Sequence, residues 1–162
     1  MKTLYIKTDT IPQLFNELQN ELGGKLNKNH QEFTLEIDNT IATGKISGLS
    51  FKNDISFVKY DVTFKQDTIV KSHTANTNPI NFMFCSKGQL AYGFSEKTSK
   101  KFLNQFQTSI FSSDPNRDTL LFFRKDQTVK FSNIKVDTTT NSKDESIDLL
   151  KTQLVKTFMP KK

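Results

Sequence analysis

Two histidines, one cysteine and 17 acidic residues are the raw material for acid–base, nucleophilic or metal chemistry in this 162-residue chain. A metal site projected from neighbouring strands takes two or three His with a carboxylate. Here His30 lies in a polar KNH turn and His73 stands far from it in sequence, so both read as surface histidines. Serine catalysis needs its nucleophile in a defined turn. No G-x-S-x-G occurs, and Ser72 and His73, adjacent in a strand, point to opposite faces. Cys85 sits in an apolar run without a basic neighbour, which describes a buried, inert thiol. No glycine loop cradles phosphate: Gly23-Gly24 ends a helix, and Gly44 and Gly48 lie within a strand. The carboxylates Asp38, Asp54, Asp114 and Asp126 fall in turns and do not nominate a converging pair for glycoside chemistry. The residues therefore argue against an enzyme, and they imply no cofactor and no metal.

What remains is a set of aromatic side chains on alternating positions. Tyr60, Phe82, Phe84, Tyr92 and Phe94 could line an apolar cavity in which tyrosine hydroxyls orient a small ligand, or they could simply fill a core. Four of the five belong to the stretch Pro79–Phe94, PINFMFCSKGQLAYGF, the most apolar and aromatic part of the chain. Ile80, Phe82 and Phe84 alternate on one side, with Asn81, Met83 and Cys85 on the other. Leu90, Tyr92 and Phe94 alternate again after Ser86-Lys87-Gly88. Alternation on both sides of a glycine turn predicts a β-hairpin, expected in the middle of the core with Gly88 at positive φ.

The elements that must position these residues are short. Leu4 and Ile6 mark an edge strand over residues 2–8. Thr10 can cap a helix that carries Pro12 in its first turn, Leu14, Phe15, Leu18 and Leu22 on one stripe, and Gly23-Gly24 at its end. Phe33, Leu35 and Ile37 begin the β region. Strands are predicted over 40–49, 55–64 and 68–73, with turns at Asp38-Asn39 and Asn53-Asp54. Residues 96–104 read as a loop or one helical turn, 105–112 as a strand with Phe106, Thr108 and Ile110 on one side, and 120–123 as a short buried strand after the Ser113–Asn116 turn. In the last strand Val129 and Phe131 are followed by Ile134 and Val136, a slip of one residue that predicts a β-bulge. About eight or more short strands with a helix at each end predict a mainly β, cupin-like (jelly-roll) barrel or sandwich.

Residues 1–137 are read as the barrel domain with its N-terminal helix, and 138–162 as a polar linker and a C-terminal helix. In that helix Ser142 and Glu145 have capping-box spacing, Ile147, Leu150, Leu154 and Phe158 form one stripe, and Pro160 is the stop. The stripe fits packing on the barrel or a seam between two subunits. Hydrophobic content is 35%, with 15 Phe and no Trp, enough to fill one β core. The net charge of +6 comes from scattered lysines, with Arg only at 117 and 124, so the chain lacks the side chains that best read base edges or grip phosphate. A single cysteine, no signal-peptide pattern and no long apolar run lead to the expectation of a soluble, cytoplasmic protein that does not enter a membrane.

The stretches FCSKGQLAYGF and SIFSSDPNRDTLLFFRKDQTVKFSNIKVD, together with the flanking helices, give a layout over about 30–137 that resembles the N-terminal sensor domain of AraC-type bacterial transcription regulators. The resemblance implies a cupin-like barrel that binds a small-molecule effector, mediates homodimerisation, or both. DNA contact would then belong to two helix-turn-helix units that this sequence lacks. On that expectation it is an excised sensor domain or a stand-alone relative. Competing readings are a stand-alone small-molecule-binding β-barrel protein and, more weakly, a metal-dependent cupin enzyme.

Overall fold

In the computed structural model, residues 1–51, 54–113, 115–138 and 145–158 are described, with 145–148 and 158 as backbone only. The expected Ser142 cap, the linker, the Pro160 stop, Asn53 and Asp114 lie outside the described residues.

Two sheets face each other. The chain enters with β1 (Lys2–Lys7) and α1 (Ile11–Leu22), then runs through the meander β2 (Lys25–Asn29), β3 (Glu32–Asp38), β4 (Ala42–Phe51) and β5 (Ile55–Phe64). From there β6 (Thr68–His73), β7 (Pro79–Lys87), β8 (Leu90–Gly93), β9 (Lys101–Leu103), β10 (Thr108–Ser112), β11 (Thr119–Phe123) and β12 (Thr128–Asp137) follow, and α2 (Glu145–Phe158) closes the chain. One sheet has the order β1-β6-β11-β8-β9 and the other β10-β7-β12-β5-β4-β3-β2. After β5 the chain changes sheet at almost every connection, which is jelly-roll winding and matches the expected class.

The α1 helix forms where predicted. The Thr10 side chain accepts a hydrogen bond from the Gln13 amide, and Ile11, Leu14, Phe15, Leu18 and Leu22 are buried. It packs over β1, β3 and β4. Phe15 lies directly on Gly48, where an added Cβ would meet the ring at 2.3 Å, so glycine is what lets the helix approach the sheet. Gly44 has φ +134°, and a Cβ there would come within 2.0 Å of the Asp61 carbonyl of β5.

Several expectations are corrected. The predicted Pro79–Phe94 hairpin does not form. β7 lies between β10 and β12 in one sheet, while β8 lies between β11 and β9 in the other. The turn at Gly88 (φ +79°) carries the chain from sheet to sheet, and alternation alone cannot distinguish that from a hairpin. The buried side of β7 is Asn81, Met83 and Cys85; Phe82 is half-buried and Phe84 is 39% exposed. Ile80 is fully buried on the outward side, near the end of the strand that α2 approaches.

The strand β12 keeps its period. Val129, Phe131, Asn133 and Lys135 share the inward phase, and Ile134 points out at 44% exposure. The register irregularity lies opposite, in β7. Lys130 pairs with Lys87 and Phe131 with Cys85, leaving Ser86 as the extra residue. Residues 101–103 are a strand rather than a loop, and the polar strand β2 carried no periodic signal. Phe106 has φ +67° and is 71% exposed, outside β10.

Candidate functional site

Each inward row of the barrel changes character along its length. In β5 the inward series is Ser56, Val58, Tyr60, Val62, Phe64; in β12 it is Asp137, Lys135, Asn133, Phe131, Val129; in β7 it is Asn81, Met83, Cys85. Register places Ser56 against Lys135 and Lys135 against Asn81, then Val58 against Asn133 and Asn133 against Met83, then Tyr60 against Phe131. In the facing sheet Ser72 pairs with Thr119, and Val70 with Leu121. Polar residues from both sheets therefore form a layer at one end of the barrel, and apolar residues fill the rest.

That layer encloses a cavity of about 240 Å³, whose lining includes Thr8, Asp9, Ser72, Thr74, Asn81, Asn133 and Lys135, with Tyr60, Met83, Phe111 and Phe131 beneath them. The Tyr60 and Phe131 rings form the floor, stacked with centroids 4.4 Å apart. Burial pushes the Tyr60 hydroxyl well above its ordinary pKa, so it stays protonated.

A hydrogen-bonded chain fixes one wall. Asn133 Nδ2 donates to Asn81 Oδ1 at 3.1 Å, Asn81 Nδ2 donates to Ser113 Oγ at 3.0 Å, and Ser113 and Thr119 hydroxyls are 3.1 Å apart. Two of the lining residues, Asn133 and Thr74, keep a side-chain oxygen (Oδ1 and Oγ1) that is buried and has no hydrogen-bond partner among the described residues. Leaving such groups unpaired costs about 1–3 kcal/mol each, and a side-chain rotation toward the cavity is what would let an occupant satisfy them.

Across the cavity the Lys135 ammonium donates to the Thr8 carbonyl. Burial lowers its pKa from 10.5 to about 8, against the opposing pull of the Asp9 and Asp137 carboxylates. For Asp9, burial acts upward. The Ala75 amide, the Thr77 hydroxyl, the Asn76 amide and the Lys135 charge outweigh it and leave the carboxyl below its ordinary range. These bonds tie the 8–10 loop to the 74–77 loop, with Asp9 Oδ2 at 3.0 Å from the Ala75 nitrogen and Asp9 Oδ1 at 2.9 Å from the Thr77 hydroxyl.

Of the five aromatic residues singled out in the sequence, only Tyr60 lines the cavity. Phe82 and Phe84 face away from it on the outer side of β7. Tyr92 and Phe94 pack beside it against Phe111, with centroids at 5.4 and 5.7 Å. The Arg117 guanidinium covers Phe94 at 4.0 Å. The residues the sequence reading missed were Asn81, Asn133 and Lys135. Their signal is polarity in the inward phase of otherwise apolar strands, which along β12 alone resembles a slip of one residue.

Among the described side chains of α2 the buried one is Lys151, only 4% exposed, whose Nζ lies 3.2 Å from Asp54 Oδ2 at the cavity rim. Leu150 is 46% exposed and Leu154 partly so; the Ile147 and Phe158 side chains lie outside the described residues. His73 Nδ1 is 2.8 Å from Asp118 Oδ1, and His30 is exposed in a turn with φ +56°. Among the described residues no three His, Cys, Asp or Glu side chains group as a metal site would need. Burial raises the Cys85 thiol pKa, which keeps it a poor nucleophile. No described helix is long and apolar enough to cross a membrane.

No family model matches the sequence, and no curated protein matches it. Among solved structures, the chain is similar to a conserved protein with a double-stranded β-helix domain from Klebsiella pneumoniae, at 12% identity and TM-score 0.47 over 66% of this chain and 81% of that one. It is also similar to the iron(II) form of HppE, at 10% identity and TM-score 0.47 over 78% and 76% of the two chains. A third similar structure is the cupin domain of an XRE family transcriptional regulator from Enterobacter cloacae, at 8% identity and TM-score 0.43 over 66% and 97%.

Proposed function

We propose that this chain is a non-catalytic binding domain that takes a small polar molecule into the cavity at the polar end of its barrel. The observation that carries the reading is a cavity of about 240 Å³ lined by polar side chains of both sheets, two of whose lining residues, Asn133 and Thr74, each keep a buried, unpartnered oxygen. A barrel built only for stability would fill that end with apolar side chains, as it does around Val62, Phe64 and Phe123. In the AraC-type version of this reading the molecule is an effector. Asp54 lines the cavity rim and pairs with Lys151 of α2, so an occupant that displaces Asp54 changes how α2 is held and thereby the arrangement of anything attached to it, including a second copy.

The test is a screen of uncharged diols, amides and hydroxy-carbonyl compounds by saturation-transfer NMR, repeated on Ser56→Phe. Ser56 points into the cavity between Val58 and the rim, and a phenyl ring there occupies the space. Binding to the wild type that is lost in Ser56→Phe supports the proposal. Absence of binding to the wild type, or equal binding to a folded Ser56→Phe, overturns it.

A further inference from the structure

We propose that Lys135 is a covalent capture site, forming a reversible imine with a small, uncharged hydroxy-aldehyde or hydroxy-ketone held in the cavity. The proposal rests on the binding role of that cavity and names its ligand class.

Lys135 stands in the middle of the polar layer, between Ser56 of β5 and Asn81 of β7, on a strand held on both sides. Its stem is fixed by the sheet and its head by the Thr8 carbonyl, so the amine is presented to the cavity rather than sweeping through solvent. Donation to Thr8 uses one of its N–H bonds, and the nitrogen of the neutral amine keeps a lone pair for attack. The titratable groups that face it are the Asp9 carboxylate from the loop before α1, Asp137 further along β12, Asp54 at the rim and the Tyr60 hydroxyl below. With Asp54 paired to the Lys151 ammonium, Asp9 and Asp137 still outnumber Lys135 at this end, which disfavours an anion and leaves an uncharged carbonyl compound as the fitting partner.

The two unpartnered oxygens complete the match. Rotated toward the cavity that their residues line, the Thr74 hydroxyl can donate to the carbonyl oxygen, and Asn133 Oδ1 can accept from a hydroxyl on the neighbouring carbon. The lone pair of the neutral amine attacks the carbonyl carbon, making a C–N bond and a carbinolamine. The former carbonyl oxygen then leaves as water, carrying the two protons that began on the amine nitrogen, and a C=N bond remains. No oxidant or reductant is consumed, and water reverses the step. A pKa of about 8 in place of 10.5 raises the neutral fraction at pH 7 by roughly two orders of magnitude over an ordinary surface lysine.

The experiment treats the wild-type chain with hydroxyacetone or glycolaldehyde and cyanoborohydride, which fixes an imine as a secondary amine, and locates adducts by peptide mass mapping. In parallel, 1,2-propanediol, which fits the same space but has no carbonyl, is followed by NMR at the cavity residues. Lys135 is expected to label at least tenfold faster than any other lysine, with a rate that levels off above about pH 8 while surface lysines keep accelerating toward pH 10.5. Excess propanediol should slow labelling of Lys135 only. Labelling of Lys135 no faster than the surface lysines, with propanediol still bound, overturns imine capture and leaves the binding role standing. Neither labelling nor propanediol binding overturns both.

Discussion

Replacing Lys135 by Met tests the electrostatics of the polar layer directly. An amine whose pKa falls from 10.5 to about 8 on folding binds fewer protons in the folded chain than in the unfolded one between those pH values. Stability therefore rises with pH through that window. Below about pH 8 both states are protonated and the folded state carries the full cost of a buried ammonium. Above about pH 10.5 both are neutral and the cost is gone. The gap between the two values, at about 1.4 kcal/mol per factor of ten, sets that cost at roughly 3 kcal/mol. Methionine matches the stem in length and adds no charge, but it loses the bond to the Thr8 carbonyl, worth about 1–2 kcal/mol. Lys135→Met should therefore gain about 1–2 kcal/mol at pH 7, and that gain should vanish or reverse by pH 10.5. Urea unfolding of both proteins at half-unit steps from pH 6.5 to 10.5 reads the difference. A difference that stays constant across the range would refute the argument, because it would mean that the amine titrates alike in the folded and unfolded chains.

Other outcomes follow from the same geometry. Phe84→Ala should cost under about 1 kcal/mol in denaturant unfolding, because the ring is 39% exposed on the outer side of β7, whereas Met83→Ala on the inner side should cost about 2–5 kcal/mol. Gly48→Ala should destabilise by about 1–3 kcal/mol by driving Phe15 off the sheet, and a thermal shift near zero would contradict the close approach of α1. Asp54→Asn removes the charge opposite Lys151, so amide hydrogen exchange over residues 149–157 should quicken while the β12 amides hold. With α2 as a subunit seam, Leu150→Asp plus Leu154→Asp should convert a dimer into a folded monomer by sedimentation; a wild type that already sediments as a monomer rules the seam out.

The sequence by itself determined the elements whose signals are local. The Thr10 cap, the Leu14–Leu22 stripe and the Gly23 end specify α1 because capping and 3.6-residue spacing act within one helix. The alternation of Val58, Tyr60, Val62 and Phe64 likewise specifies β5 within one strand. Helix placement and a succession of short strands then follow, and with them a mainly β jelly-roll class, although the structure has twelve strands, including β2 and β9, which carried no such local signal.

Tertiary structure alone decided what lies opposite what. Ile80, Phe82 and Phe84 are more apolar than Asn81 and Cys85, yet the latter face inward, because pairing of β7 with β12 and β10 sets the face and the extra residue at Ser86 adjusts the register. A glycine turn between two alternating runs suits a hairpin or a change of sheet equally, and only the competition among strands for partners chose the second. The cavity was hidden for the same reason. Asn81, Asn133 and Lys135 are separated by up to 54 residues in the chain and become one layer only through the β7-β12 register. Polar residues in an inward phase look like a broken pattern along one strand and like the wall of a cavity once neighbouring strands bring them together.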